Sequence, residues 1–272
     1  MNDTPVQTAP APAGGPPRRP PGRLWPLTVI ETSEITPHMR RVIFSGNTLD
    51  ELDHKAAQDV VLILPQANGE PARRHYTIRW HDKAAKRLAI DFVVHDETSP
   101  AMRWLLSVKP GDKIEAQGPR GRTVANPDAD WHLLTGDETC QPGIFAILER
   151  LPAGARAFAF IEVENEAETQ KLNSKADVKL EWIYRNGPAA ASSAELITRL
   201  KAFQFPPGNG QAYVIGETST VRAQRQGLIA RGFDKARIAA EGYWRPGRQG
   251  GHDHIWDEGE GPRALPGAPP RA

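Results

Sequence analysis

Six consecutive residues, Arg74-His75-Tyr76-Thr77-Ile78-Arg79, combine two guanidinium groups, a flat phenol ring and a small hydroxyl. On a strand, alternation sends Arg74, Tyr76 and Ile78 to one side and His75, Thr77 and Arg79 to the other. An anionic dinucleotide with a flat ring calls for such a set: a guanidinium for phosphate, a ring to stack on, and a small donor near the ring nitrogens. An ordinary half-exposed strand has the same alternation. Downstream, Asp91-Phe92-Val93-Val94-His95 runs towards Ser99-Pro100-Ala101-Met102-Arg103-Trp104. Ser99 suits an N-cap and Pro100 a first helical residue, so the N–H groups at this helix start, reinforced by the dipole, make a phosphate site. Every helix has such an end, and His95 reads equally well as a plain strand-end histidine.

Later in the chain, Gly216-Glu217-Thr218-Ser219-Thr220 leads into a segment carrying Arg222 and Arg225. A glycine and hydroxyl caps at a strand-to-helix turn suit a nucleotide, and they suit a capped helix with no ligand as well. Arg185 could meet a 2′-phosphate, whereas Arg156 and Lys179 read equally as solvated charges. Cys140 is the one cysteine, which excludes an internal disulfide, a cysteine-ligated zinc site and a four-cysteine iron–sulfur cluster within one chain. Redox chemistry here needs an organic cofactor. His252 and His254 stand in a glycine-rich stretch and are expected to be solvated rather than metal ligands.

The elements that must position these groups fall into two textures. From Leu24 to Val124, apolar residues come in short bursts: 27–30, 40–44, 60–64, 75–80, 88–95 and 113–116. Turns such as Ser45-Gly46-Asn47, Asn68-Gly69 and Pro110-Gly111-Asp112 separate them, which predicts a six-stranded antiparallel β-barrel with one helix after Ser99. Beyond Pro127, strands near 131–135, 157–163, 178–184, 212–215 and 237–243 alternate with helical segments, the signature of a doubly wound parallel sheet. Ligands of such sheets sit at the carboxyl ends of the strands. The expected division is a barrel over 23–126 and an α/β domain over 127–248.

Of the 25 prolines, seven lie in residues 1–22 and five in 246–272, so both ends (1–22 and 249–272) are expected to be disordered tails. The 34 Lys and Arg residues balance 33 Asp and Glu to a net charge of +1, which argues against a partner recruited by bulk charge, such as duplex DNA or an anionic membrane. No apolar run approaches the roughly 20 residues that span a bilayer. Arg18-Arg19 is followed by Pro20-Pro21 rather than by the apolar core of an export signal, so the expected place is the cytoplasm.

Taken in order, the motifs resemble those of one family. Arg74 to Arg79 is similar to an R-x-Y-T-x-R flavin motif, and Asp91 to His95 with Ser99 to Trp104 to the D-x-V-x-H and helix that follow it. Pro110-Gly111-Asp112, Gly118-Pro119-Arg120-Gly121, Asp137-Glu138-Thr139, Gly216-Glu217 with Arg222 and Arg225, and Gly242-Tyr243-Trp244-Arg245 complete the set. Over about residues 23–248 the chain resembles siderophore-interacting proteins, FAD-containing ferric-siderophore reductases related to ferredoxin–NADP reductases. The resemblance implies that Arg74, Tyr76 and Thr77 hold the flavin ring and adjoining phosphate, with Arg79 adding charge nearby. It also implies that His95, Ser99, Ala101 and Met102 hold the pyrophosphate and adenosine side. Thr139 then lies close to flavin and nicotinamide, and Glu217, Arg222 and Trp244 belong to the cofactor sites. The sequence departs from the family at Cys140-Gln141-Pro142-Gly143, where the usual pattern is A-L-P-A; glycine for alanine widens that space and loosens the helix start.

The activity so implied moves electrons from NADPH or NADH through FAD to chelated Fe(III), releasing Fe(II), with no catalytic triad and no resident metal. Ferric siderophores are commonly anionic, and Lys55, Arg120, Arg122, Arg245 and Arg248 are the candidate contacts, with Lys55, Arg120 and Arg245 favoured. A monomer is expected. The alternatives are a relative that reduces another acceptor and a siderophore-binding module without turnover.

Overall fold

The computed structural model of the chain describes residues 22–66, 69–95, 99–248 and 253–255. Its amino-terminal half is an antiparallel sheet of β1 (Leu24–Thr36), β2 (Met39–Ser45), β3 (Asp59–Leu64), β4 (Ala72–Thr77), β5 (Trp80–Asp82), β6 (Arg87–Val93) and β7 (Lys113–Arg120), in the order β4-β3-β7-β1-β2-β6-β5. There are seven strands where six were expected, because the burst read as one strand over 75–80 breaks after Thr77. Ile78 and Arg79 turn the chain from one edge of the sheet to the other, with Ile78 N–H bonded to Gln58 O at 3.0 Å and Arg79 N–H to Ala89 O at 2.9 Å. The edge strands β4 and β5 are therefore adjacent in the chain, and the sheet curls round one core that includes Leu27, Val42, Phe44, Leu62, Ile90 and Phe92. β1 is long enough to pair with β7 through its first half and with β2 through its second, which ties the two sides together. The helix expected after Ser99 is α1 (Pro100–Ser107), and Ser99 caps it by accepting the Met102 N–H at 3.2 Å.

The second half is a six-stranded sheet, β10-β9-β8-β11-β12-β13, of which β8 (Trp131–Asp137), β9 (Arg156–Val163), β10 (Asp177–Tyr184), β11 (Gly210–Glu217) and β12 (Ile238–Trp244) run parallel. All eight residues of β11 are buried, as a central strand covered on both faces requires. One face packs on α2 (Gln141–Leu148) through Ile144, Phe145 and Ile147. The other packs on α3 (Glu195–Ala202) and α4 (Thr218–Ala230) through Leu200, Val221 and Leu228, so the doubly wound expectation is met. Between β9 and β10 the acidic stretch forms only a 3-10 turn over Glu166–Glu168.

The carboxyl end also differs from the expectation of a tail from residue 249. Asp253 and His254 form β13 (Asp253–His254), antiparallel to β12, and Ile255 is buried against the α3/α4 face. Residues 1–21, 249–252 (with His252) and 256–272 of the expected tails lie outside the described residues.

The two halves meet through buried polar contacts. The Arg79 guanidinium is 8% exposed and forks onto Glu149, at the end of α2, at 2.6 and 2.7 Å. Asp91 lies 3.7 Å behind it and is itself forked by Arg41 at 2.6 and 2.7 Å. Elsewhere Thr123 Oγ1–H donates to Glu241 at 3.0 Å, and Thr36 Oγ1–H and His38 meet Glu168 at 2.5 and 2.8 Å. Removing one partner of a buried ion pair strands the other charge. Arg79→Leu is accordingly expected to cost about 2–4 kcal/mol in urea unfolding, and a loss below about 0.5 kcal/mol, the scale of an exposed pair, would show the contact to be incidental.

Candidate functional site

The first cluster forms where three barrel segments share aromatic rings. Tyr76 on β4 tilts onto Phe92 of β6 with centroids 4.3 Å apart, and Phe92 meets Trp104 of α1 at 5.7 Å. These contacts bring Arg74 and Tyr76, both half-buried on one side of β4, next to the segment containing Asp91, His95 and the α1 start. Burial holds the Tyr76 phenol protonated, well above its usual range. Ala101 and Met102 are buried, 3% and 1% exposed, so their side chains belong to the core and only their backbone N–H groups face the helix start. Since Ser99 takes the Met102 N–H and Pro100 has none, the Ala101 N–H lies outside the cap. His95 is exposed.

On the other side of β4, His75 Nδ1 lies 2.5 Å from Asp59, while Thr77 faces the second domain. Thr77 is hydrogen-bonded to the hydroxyl of Tyr243, a partly buried side chain whose phenol is pushed well above its usual range by desolvation. Gly143, at the start of α2, closes this junction: a Cβ there would lie 3.5 Å from Ala57 and 3.7 Å from both Thr77 and Tyr243. An alanine would fit at ordinary contact, so glycine leaves a methyl-sized space open between the domains. Sequence reasoning missed Tyr243 as a junction residue although Gly242-Tyr243-Trp244-Arg245 contained it.

The second cluster is organised by a residue that was not singled out, Asp137, at the carboxyl end of β8. Its carboxylate is 3% exposed and works as a pure acceptor. Oδ1 takes the Thr139 N–H at 2.9 Å and the Thr139 Oγ1–H at 2.5 Å; Oδ2 takes the Glu217 N–H at 2.9 Å and the Trp244 Nε1–H at 3.0 Å. Gly216 makes room for it, with φ +138° and a hypothetical Cβ that would strike Oδ2 at 2.7 Å. Burial and the neighbouring Glu138 push the Asp137 carboxyl up to about 6, against the hydrogen bonds from Thr139 and Trp244. The sequence signal for Asp137 is D-E-T at a strand end, in which the acid and the hydroxyl are equally plausible.

Several expected contacts are already committed inside the protein. Arg79 belongs to the Glu149 pair. Glu217, rather than a hydroxyl, caps α4 by accepting the Ser219 and Thr220 N–H groups at 2.8 and 2.9 Å. Arg185 is 5% exposed, forked onto Glu138 at 2.7 Å and 3.5 Å from Glu162, so no 2′-phosphate contact is left to it. Arg222, Lys55, Arg120 and Arg245 are exposed.

The comparisons with known proteins fit this geometry. Residues 129–247 match the family model for siderophore-interacting protein, and residues 63–123 match that for the siderophore-interacting FAD-binding domain. A ferric vibriobactin reductase of Vibrio cholerae is 31% identical over 202 residues, 69% of this chain and 73% of that protein. The chain belongs to the siderophore-interacting protein family. A siderophore utilization protein from T. fusca superposes with a TM-score of 0.78 at 32% identity, covering 87% of this chain and 98% of that one. An NADPH-dependent ferric-chelate reductase of Escherichia coli is 26% identical over 244 residues, 82% of this chain and 93% of that protein.

The Asp137 carboxyl has a consequence measurable without a ligand. Because its folded-state value stands above the ordinary 3.8, the folded chain keeps a proton that the unfolded chain loses between there and about 6. Its stabilising contribution is therefore complete below that window and falls as pH rises through it. Trp244 emission, isolated by difference against Trp244→Phe, is expected to titrate near pH 6 and to lose that step in Asp137→Asn; a step that survives the substitution would place the titrating group elsewhere.

Proposed function

We propose that the chain is an FAD-dependent ferric-siderophore reductase that passes electrons from NAD(P)H to chelated Fe(III) and releases the more weakly held Fe(II). The carrying observation is the Thr77–Tyr243–Gly143 junction, which sets the Arg74–Thr77 motif of the barrel against the carboxyl ends of the parallel strands. The groups present suit FAD: a half-buried guanidinium and ring on β4, a helix start whose cap leaves the Ala101 N–H outside it, and an open methyl-sized space where the domains meet. Arg74 would hold phosphate, Tyr76 and Thr77 the ring, and the α1 start with Ser99 and His95 the pyrophosphate and adenosine side. When bound, the flavin accepts an electron pair from the nicotinamide and yields single electrons to ferric iron.

The chain's own residues bind and orient. Asp137 fixes Trp244 and Thr139 at the strand ends where a nucleotide enters such a sheet, so the indole forms a fixed wall there. Asp91 and Glu149 hold Arg79, which keeps α2 against the barrel. Lys55, Arg120 and Arg245 lie exposed and supply positive charge for an anionic chelate; reduction of the iron asks no side chain to move a proton. Arg185, held by Glu138 and Glu162, does not distinguish NADPH from NADH. Among the described residues no helix is long and apolar enough to cross a membrane, and the large exposed apolar side chains, Leu24, Leu106 and Tyr184, are separate in sequence. A cytoplasmic monomer is part of this reading.

Flavin retention tests it most simply. Tyr76→Ala should weaken FAD binding about tenfold or more through lost stacking, read as visible absorbance per protein after gel filtration, whereas Tyr76→Phe should keep the cofactor. Equal occupancy in all three proteins would remove the ring from the site, and a colourless parent that FAD cannot reconstitute would remove the reductase reading itself.

A further inference from the structure

The exposed Arg245 and Arg248 do not stand alone at the end of β12. Asp253, carried back by β13, places one carboxylate oxygen 3.6 Å from Arg245 Nη1 and the other in direct contact with Arg248 Nη1. The carboxylate is held from behind as well as in front. Its backbone is registered opposite Gly242, and Thr218 Oγ1–H, shared with the Trp244 carbonyl, reaches its Oδ2 at 3.1 Å. Asp253 is 17% exposed while the two arginines are 47% and 40% exposed, so the anion lies inside and the guanidinium groups face outward. Through Thr218 and Trp244 this cluster is continuous with the Asp137 carboxylate.

We propose that Asp253 is a specificity-determining residue: a built-in carboxylate that occupies the anion position between Arg245 and Arg248 and competes there with the negative charge of an incoming ferric chelate. This rests on the reading of the chain as a ferric-siderophore reductase. The physical argument is one of effective concentration. A carboxylate fixed by strand pairing and by Thr218 meets its partners without translational cost, so a free anion must be polydentate or highly charged to displace it. The arginines thus give weak general anion binding and favour chelates whose several anionic groups reach both guanidinium groups at once.

Binding of gallium(III) chelates, redox-inert stand-ins for the iron(III) complexes, tests this in the FAD-loaded full chain. The probes are an anionic tris-catecholate and a neutral tris-hydroxamate complex, read by quenching of tryptophan emission. Asp253→Asn keeps the Thr218 contact and removes the charge; the ratio of anionic to neutral affinity should rise about tenfold, and Asp253→Ser should give the same direction if the asparagine protein fails to fold. Adding Arg245→Gln and Arg248→Gln to either variant should cancel the gain. An unchanged ratio, a gain that survives loss of both arginines, or a gain seen only for NADP⁺ would each overturn the proposal. A parent that binds neither gallium complex would instead fail the reductase reading, and this proposal with it.

Discussion

The nucleotide half of the molecule is organised by one carboxylate. Asp137 is buried at the end of β8 and meets donors from three places in the chain: its own loop at Thr139 and the Cys140 thiol at 3.8 Å, the β11-to-α4 turn at Glu217, and the end of β12 at Trp244. A buried charge with so complete a donor set holds those segments at fixed distances, since moving any one leaves the acid under-satisfied. Gly216 is the backbone's concession to it. The three parallel strands whose ends would face a ligand are thereby tied at that end, while their opposite ends pack around Trp131, Phe203 and Phe233, with Asp130 accepting the Asn209 N–H and Asn126 donating to Gln211 beside them.

The barrel solves a different problem. Its curled sheet passes β4, at one edge, directly into β5, at the other, so that one strand motif serves both the sheet and the junction with the second domain. Alternation then separates tasks cleanly: Arg74 and Tyr76 on one side, Thr77 and Arg79 on the other. The second pair faces the other domain, where Arg79 forks onto Glu149 and Thr77 meets the Tyr243 hydroxyl.

Much of this was legible in the sequence, and the misses share a cause. The two textures, the Ser99 cap and the strand-end motifs follow from periodicity and capping chemistry, which are local. The one strand expected over 75–80 divides into β4 and β5 because Ile78-Arg79 looks like a continuation of alternation and acts as a turn only once β6 is in place. Arg79 and Arg185 were read as ligand contacts because a sequence does not show that Glu149 and Glu138 stand opposite them. Asp137, Tyr243 and Asp253 are hidden for the same reason: Asp137 takes donors 80 and 107 positions away, Tyr243 meets Thr77 in the other half of the chain, and Asp253 depends on a strand made of two residues. Burial decides these cases, and burial is a property of the fold.

The central claim is that the domain junction delivers nicotinamide electrons to chelated iron. Its most direct test is an anaerobic titration of the FAD-loaded protein with NADPH or NADH, followed by a ferric siderophore in the presence of an Fe(II) trap. The account predicts loss of the flavin's visible absorbance on adding nucleotide, its return on adding ferric siderophore, and about two trapped Fe(II) per flavin, since one electron pair reduces two irons. A flavin that is reduced by the nucleotide and stays reduced with every ferric siderophore tried, yet recovers at once with a quinone, would contradict it.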